Sequence, residues 1–310
     1  IARDHMRTRS LVAEPHSTSL LARGQQAFRT LLRHNIPPPD NVVANRYSNI
    51  EPYDRTRVVV GDLKGSHCSV GAEGSKGRYF NASWVRELYG GKLWIATQAP
   101  LPRTAHVFPQ CHPSLNFPYM HSSSRVRTVK AHAYFPSTPG QSVLSNPDPT
   151  SDAPRKVSIV PVTSTNPQDA VVFTHLLYAA WRTMDLIAFV RLGIALTRIP
   201  LHPPSSPKPD PDPPIMVHCS AGIGRTGSFI AMSSLLRVYH LLSGNPLSNT
   251  LTPPLQPLSP LPVSPLGTLP KELQEDLIAQ EIDSLREQRP GMVQRDEHNS
   301  SHLRYLKPSV

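Results

Sequence analysis

The sequence predicts an α/β domain, and three observations predict it. Short β-branched runs such as Val58-Val59-Val60 occur alongside segments of helical spacing such as Thr226 to Leu242. The apolar run Ile215-Met216-Val217 enters a glycine-containing turn that leads into that helix, giving the order strand, loop, helix. Proline occurs 35 times in 310 residues, about twice the usual ~5%, and it piles up at 200–214 and 246–270, which marks loops rather than core.

Taken in order, residues 1–35 carry helical spacing on Leu20, Leu21, Phe28, Leu31 and Leu32, and Pro37-Pro38-Pro39 stops that helix. Strands are predicted from Arg57 through Val60 and over Trp94 to Thr97, the latter ended by Pro100 and Pro102. Between 105 and 125, Pro109, Pro113 and Pro118 argue against a regular helix or a central strand. Further strand patterns follow at Val129 to Phe135, Val157 to Val162 and Ala170 to Leu177, with a Ser/Pro/Gly/Asp turn region at 137–154. Helices are predicted over Asp185 to Leu196, over Thr226 to Leu242 and, charged and amphipathic, over Lys271 to Arg286. Phe229, Ile230, Leu235, Leu236, Val238, Tyr239 and Leu242 mark the buried side of the second. The whole reads as one domain over 1–310, with insertions at about 137–154, 200–214 and 244–270.

Composition narrows the partners. Lysine and arginine number 32 against 22 acidic residues, a net charge of +10 that suits anionic partners or simply keeps the chain soluble. No basic cluster with interleaved aromatics marks a nucleic-acid stripe. The longest apolar stretch, Leu176 to Leu196, is broken by Arg182, Asp185, Arg191 and Gly193, so no membrane span is expected, and no signal peptide is read. Cys68, Cys111 and Cys219 are an odd number and far apart, which excludes a complete disulfide framework and a paired-cysteine zinc site. Free thiols suit a reducing compartment, the cytoplasm with the nucleus left open. No HExxH motif occurs. His298 and His302 stand four apart near Asp296 and Glu297 with no further ligand cluster, so no metal is expected.

The segment that carries chemistry is Val217-His218-Cys219-Ser220-Ala221-Gly222-Ile223-Gly224-Arg225-Thr226-Gly227. Amides of a tight turn, with the positive end of the following helix, form an anion nest. Gly222 and Gly224 permit the turns that such a nest needs. A cysteine in that field has its thiolate stabilised and becomes a nucleophile at neutral pH. Arg225 can return its planar fork to the same oxyanion. Residues Ser220 to Gly224 thus form a loop sized for one phosphate, with Ser220, Ala221, Gly222, Ile223, Gly224 and Arg225 as its ligands.

This run resembles the HCxxGxxR(S/T)G signature of cysteine-dependent protein-tyrosine phosphatases, in their fungal-like non-receptor form. The resemblance extends from about residue 25 to about residue 300, with gaps. Asn45 to Asp54, reading NRYSNIEPYD, is similar to the family's substrate-recognition loop, in which Tyr47 would stack on a phosphotyrosine ring. Asn49 stands where the family often has aspartate, which changes that contact to substrate. Tyr79 to Val85 and Trp94 to Pro100 are similar to two core segments of the family. Gln288 to Gln294, QRPGMVQ, resembles the loop that supplies a water-orienting glutamine, here Gln294. The second glutamine of that loop is His298 in this chain.

The resemblance implies a highly twisted mixed β-sheet flanked by helices. It further implies hydrolysis of phosphotyrosine in proteins through a cysteinyl-phosphate, with no metal or organic cofactor. Cys219, Arg225, Thr226 and Gln294 would be catalytic and His218 would support the loop by hydrogen bonding. Thr226 either bonds the sulfur or caps the helix. One part of the pattern is absent: the family's Trp-Pro-Asp acid loop has no counterpart, since Trp181 is followed by Arg182-Thr183-Met184-Asp185. Asp185 reads as a helix-start residue, and Asp210 and Asp212 as solvated loop residues. The family's amphipathic helix and central strand are also expected to be lost at 105–125. Two alternatives stay open: a weak or inactive module that still binds phosphotyrosine, and a dual-specificity or phosphoinositide phosphatase.

Overall fold

The computed structural model describes residues 42–61, 68–70, 77–105, 107, 118–122, 142–145, 155–158, 174–178, 183–197, 214–242 and 266–294. The helix expected in 1–35 and the strand expected at Val129 to Phe135 lie outside them. Strands β1 (Arg57–Val60), β2 (Cys68–Val70), β3 (Arg78–Arg86) and β4 (Leu93–Thr97) come first, and a short 3-10 turn, Asp54–Thr56, leads into β1. Then follow β5 (Pro118–Ser122), β6 (Ser142–Ser145), β7 (Arg155–Ser158), β8 (Thr174–Tyr178) and helix α1 (Thr183–Thr197). Strand β9 (Ile215–His218), helix α2 (Gly224–Val238) and helix α3 (Leu277–Gln288) complete the order.

Seven strands form one sheet in the order β2-β1-β3-β4-β9-β5-β8, and β6 and β7 pair separately. Pairing is antiparallel from β2 to β4 and parallel among β4, β9, β5 and β8, so the sheet is mixed and twisted, with helices packed on it, as expected. Valines 58 to 60 are all buried in β1, and β3 and β4 form a hairpin in register from Ala82↔Thr97 to Arg86↔Leu93. Trp94 of β4 is fully buried and meets Phe229 of α2 edge-on at 5.6 Å, while Phe189 of α1 meets the same ring at 5.9 Å. Aromatic pairs in this edge-to-face arrangement add to the energy of area burial.

Helix α2 is buried on almost every side, from Gly224 to Leu236 with Arg225 as the exception. A helix without a polar face is one enclosed by its neighbours, here the sheet, α1 and α3. Helix α3 instead buries a stripe, Ile278, Glu281, Ile282, Leu285 and Gln288, and Asp276 caps it by accepting from the amides of Ile278 and Ala279 at 2.9 and 3.2 Å.

Several expectations are corrected. Pro118 was expected to forbid a central strand, yet β5 begins at that residue and lies between β9 and β8. Proline is tolerated as the first residue of a strand, and pairing with β9 starts one residue later, at Tyr119. The turn region at 137–154 contains β6, whose Val143 pairs with Val157 of β7. The strands expected at 157–162 and 170–177 overlap Arg155–Ser158 and Thr174–Tyr178, and residues 159–162 and 170–173 lie outside the described residues. The helix expected over Lys271 to Arg286 divides into a 3-10 turn, Lys271–Leu273, and α3. Helix α2 stops at Val238, and Leu242 reaches the core after the helix has ended.

Candidate active site

Strand β9 ends at His218, paired with Thr97 on one side and His121 on the other in parallel register. Cys219 therefore leaves the sheet at the carboxyl edge of four parallel strands, the edge at which α/β sheets place their ligands. The chain turns through Ser220 to Ile223 and enters α2 at Gly224. Ile223 caps that helix without any side-chain bond, so the cap residue itself does not compete with an anion for the first amides.

The turn is fixed by its surroundings. Gly222 has φ +73, and a Cβ there would lie 2.2 Å from the carbonyl oxygen of Thr97, so both conformation and space require glycine. The Ala99 amide donates to the Ser220 carbonyl at 3.0 Å, which ties the segment after β4 to the loop. At the other end, the Ile223 carbonyl accepts from Gly227 and from Val293, both at 3.0 Å. A Cβ on Gly227 would stand 2.5 Å from the Val293 nitrogen, so the 288–294 segment passes against the first turn of α2.

Cys219 is 5% exposed and free of any disulfide. Burial raises its pKa, but the hydroxyl and amide of Thr226, the charge of Arg225 and the amide of Gly222 together outweigh burial. The thiol is held below its usual range. Thr226 Oγ1 is buried and has no hydrogen bond of regular geometry, so its contact with the sulfur is a loose one. His218 is buried, and its Nδ1 lies 3.0 Å from the Cys219 carbonyl oxygen. A carbonyl can only accept, so Nδ1 carries the proton and donates to the backbone of the loop.

The recognition segment reaches the same loop. Tyr47 is 39% exposed, and its hydroxyl lies 2.8 Å from Ser220 Oγ. The segment is held by Gln98, whose Oε1 accepts from the Arg46 amide at 2.8 Å and whose Nε2 donates to the Ala44 carbonyl at 2.7 Å. Arg46 in turn donates to the carbonyls of Ala99 and Pro100. Asn49 is exposed, and Asn45 is the neighbour with structural bonds, accepting from Tyr79 and Asn81 and donating to Glu51. Gln294 is exposed and directly follows Val293, whose φ is +54 and whose amide is bonded to the loop.

Sequence reasoning placed Arg289 in the segment with Gln294 and gave it no role. It is fully buried, and its fork holds the carbonyls of Gly222 and Ala221 at 2.9 and 3.2 Å, together with Ser83 Oγ at 3.1 Å and Asn81 Oδ1 at 2.7 Å. Burial lowers the guanidinium to about 10 against the pull of Tyr79 and Cys219, so it stays charged at neutral pH. An arginine within an otherwise turn-forming segment was the available signal, but its partners lie on β3 and on the loop, far away in sequence. Asp185 falls in the first turn of α1, while Asp210, Asp212, Cys111, His298 and His302 lie outside the described residues. Among the described residues no group of three His, Cys, Asp or Glu side chains could hold a metal ion, and no helix is long and apolar enough to cross a membrane.

A buried thiol at a helix start, favoured as its anion by the Thr226 and Gly222 amides and by the charge of Arg225, is what the structure places at this loop. The protein-tyrosine phosphatase family model matches residues 41–246, and the chain belongs to that family. It is 30% identical over 222 residues to protein-tyrosine-phosphatase PTP1 of Arabidopsis thaliana, covering 66% of this chain and 60% of that one. It is 29% identical over 200 residues to human tyrosine-protein phosphatase non-receptor type 7, covering 62% and 52%. The chain thus spans about half to three fifths of these relatives. Among solved structures it is similar to PTPN18 in complex with HER2-pY1248 phosphopeptides, with TM-score 0.53 and 20% identity over 92% of this chain and 93% of that one, a likeness of fold.

Proposed function

We propose that the chain hydrolyses phosphotyrosine in proteins in two steps. Cys219 attacks phosphorus to give a cysteinyl-phosphate while the loop amides and Arg225 bind the equatorial oxygens. Thr226 then eases departure of the sulfur as Gln294 orients water for hydrolysis. His218 keeps the loop in shape through the Cys219 carbonyl. Tyr47, exposed and bonded to Ser220, stacks on the phosphotyrosine ring and, with exposed Asn49, meets the substrate chain. The single observation that carries this reading is the geometry of the loop, in which buried Cys219 follows the end of β9, Gly222 turns at φ +73 against the Thr97 carbonyl and α2 starts at Gly224. Hydrogen bonds from Thr226 and then the charge of Arg225 thereby favour the thiolate.

The phosphopeptides bound by the structural neighbour support phosphotyrosine proteins as partners. A thiolate nucleophile works only while reduced, which favours the cytoplasm, with the nucleus left open. A second reading has a specific observation behind it. No Trp-Pro-Asp occurs in the sequence, and Asp185 lies in the first turn of α1, which supports a chain without the acid that protonates the leaving tyrosinate. Loss of a general acid costs roughly 10²–10⁴-fold, which leaves slow turnover or a module that binds phosphotyrosine without releasing product.

Turnover of p-nitrophenyl phosphate, whose leaving group needs no proton, tests the proposal beside a phosphotyrosine peptide. The expected result is turnover of the aryl phosphate, slower turnover of the peptide, and none of either by Cys219→Ser. Equal rates with and without the Cys219 sulfur overturn the enzyme reading. Binding of both compounds with turnover of neither supports the binding module.

A further inference from the structure

Gly222 lacks a Cβ and sits at φ +73, so the peptide planes on either side of it rotate more cheaply than those beside a residue that carries a Cβ. A nest that depends on such planes needs something outside it to stop them turning. Arg289 supplies the stop: its Nε donates to the Gly222 carbonyl and its Nη2 to the Ala221 carbonyl, while Nη1 and Nη2 are anchored to Ser83 and Asn81 of β3. In a trans peptide the carbonyl and the amide point in opposite directions. Holding the carbonyls of Ala221 and Gly222 on the outer side therefore turns the amides of Gly222 and Ile223 inward.

We propose that Arg289 is a positioning residue of the phosphate loop, clamping two loop carbonyls so that the amides behind them face the Cys219 sulfur and the phosphate it takes. This rests on the phosphate-handling reading of the site. An independent observation agrees with it: the Gly222 amide is one of the groups that favour the Cys219 thiolate. The geometry also accounts for the residue type. A buried charge is sustained only when its hydrogen-bonding capacity is used, and each guanidinium nitrogen of Arg289 has a partner. Lysine in its place keeps the charge but is a point donor that cannot hold two adjacent carbonyls as a planar fork does.

The test reads the thiol, not turnover. In the full chain, the pH dependence of Cys219 alkylation by iodoacetamide gives its titration midpoint, and inorganic phosphate protects the loop from alkylation. Arg289→Lys is expected to raise the midpoint by about one pH unit, a tenfold loss of thiolate preference, and to weaken phosphate protection about tenfold or more. Ser83→Ala, which removes one anchor of the guanidinium and does not touch the loop, is expected to shift both in the same direction by less. Asp276→Ala, at the remote cap of α3, is expected to lower the melting temperature and leave both unchanged.

An unmoved midpoint and unmoved protection in folded Arg289→Lys overturn the proposal. If that variant does not fold, an unmoved midpoint in Ser83→Ala overturns it instead. A wild-type Cys219 that titrates in the ordinary thiol range without phosphate protection sinks the phosphate-handling reading itself. A low wild-type midpoint that no substitution at Arg289 or Ser83 moves sinks only the clamp.

Discussion

Thr226 shows how one hydroxyl serves the nucleophile. It is buried, favours the Cys219 thiolate, and lies in the first turn of α2 without acting as its side-chain cap. Thr226→Val keeps the shape and removes the hydroxyl that favours the thiolate. It is expected to raise the Cys219 midpoint in an alkylation titration and to slow breakdown of the phosphoenzyme about tenfold, since a good leaving group is a stabilised anion. A separate residue effect concerns stability. Glu281 of α3 is buried beside Glu87, and burial pushes it up to about 8 although Ser234 and the amides of Leu88 and Tyr89 bond it. Burial pushes Glu87 upward too, opposed first by Arg237 at 3.0 Å. An acid raised on folding binds more protons in the native state, so stability falls as pH rises from the usual carboxylate range to about 8. Glu281→Gln is expected to flatten the melting temperature over that window, which thermal melts at several pH values will check.

At the scale of elements, the site is made where β4, β9, α2 and the 288–294 segment meet with almost no spare room. Gly227→Ala places a methyl 2.5 Å from the Val293 backbone and is expected to cost about 1–3 kcal/mol in a denaturant melt, with turnover reduced more than peptide binding. Gly222→Ala meets both the Thr97 carbonyl and a left-handed φ, and is expected to abolish protection by phosphate. The signature segment was legible in the sequence because everything it needs is contiguous: a strand, two glycines, a cysteine, an arginine and a helix within Val217 to Thr226. Arg289 was not, because its meaning lies in Asn81, Ser83 and the loop carbonyls, which are distant in sequence. Pro118 misled for a related reason. Its missing N–H donor excludes a proline from the middle of a ladder, but sequence alone does not say where the ladder begins. The β6–β7 pair was hidden because Ser142 to Ser145 has only two apolar residues among turn-forming neighbours.

At the scale of the molecule, the sheet brings the recognition segment and the signature loop together although they are far apart in sequence. Asn81 on β3 links them, donating to Asn45 and to the Ile50 carbonyl while its Oδ1 accepts from Arg289. The task proposed for this framework is to let one sulfur anion take one phosphoryl group. Rapid acid quench of the chain mixed with a ³²P-labelled aryl phosphate tests it without depending on a general acid, because such a leaving group departs as the anion. The expected result is label on the peptide that contains Cys219, and none in Cys219→Ser. Turnover without label on Cys219, or equal labelling of the Ser variant, would contradict it.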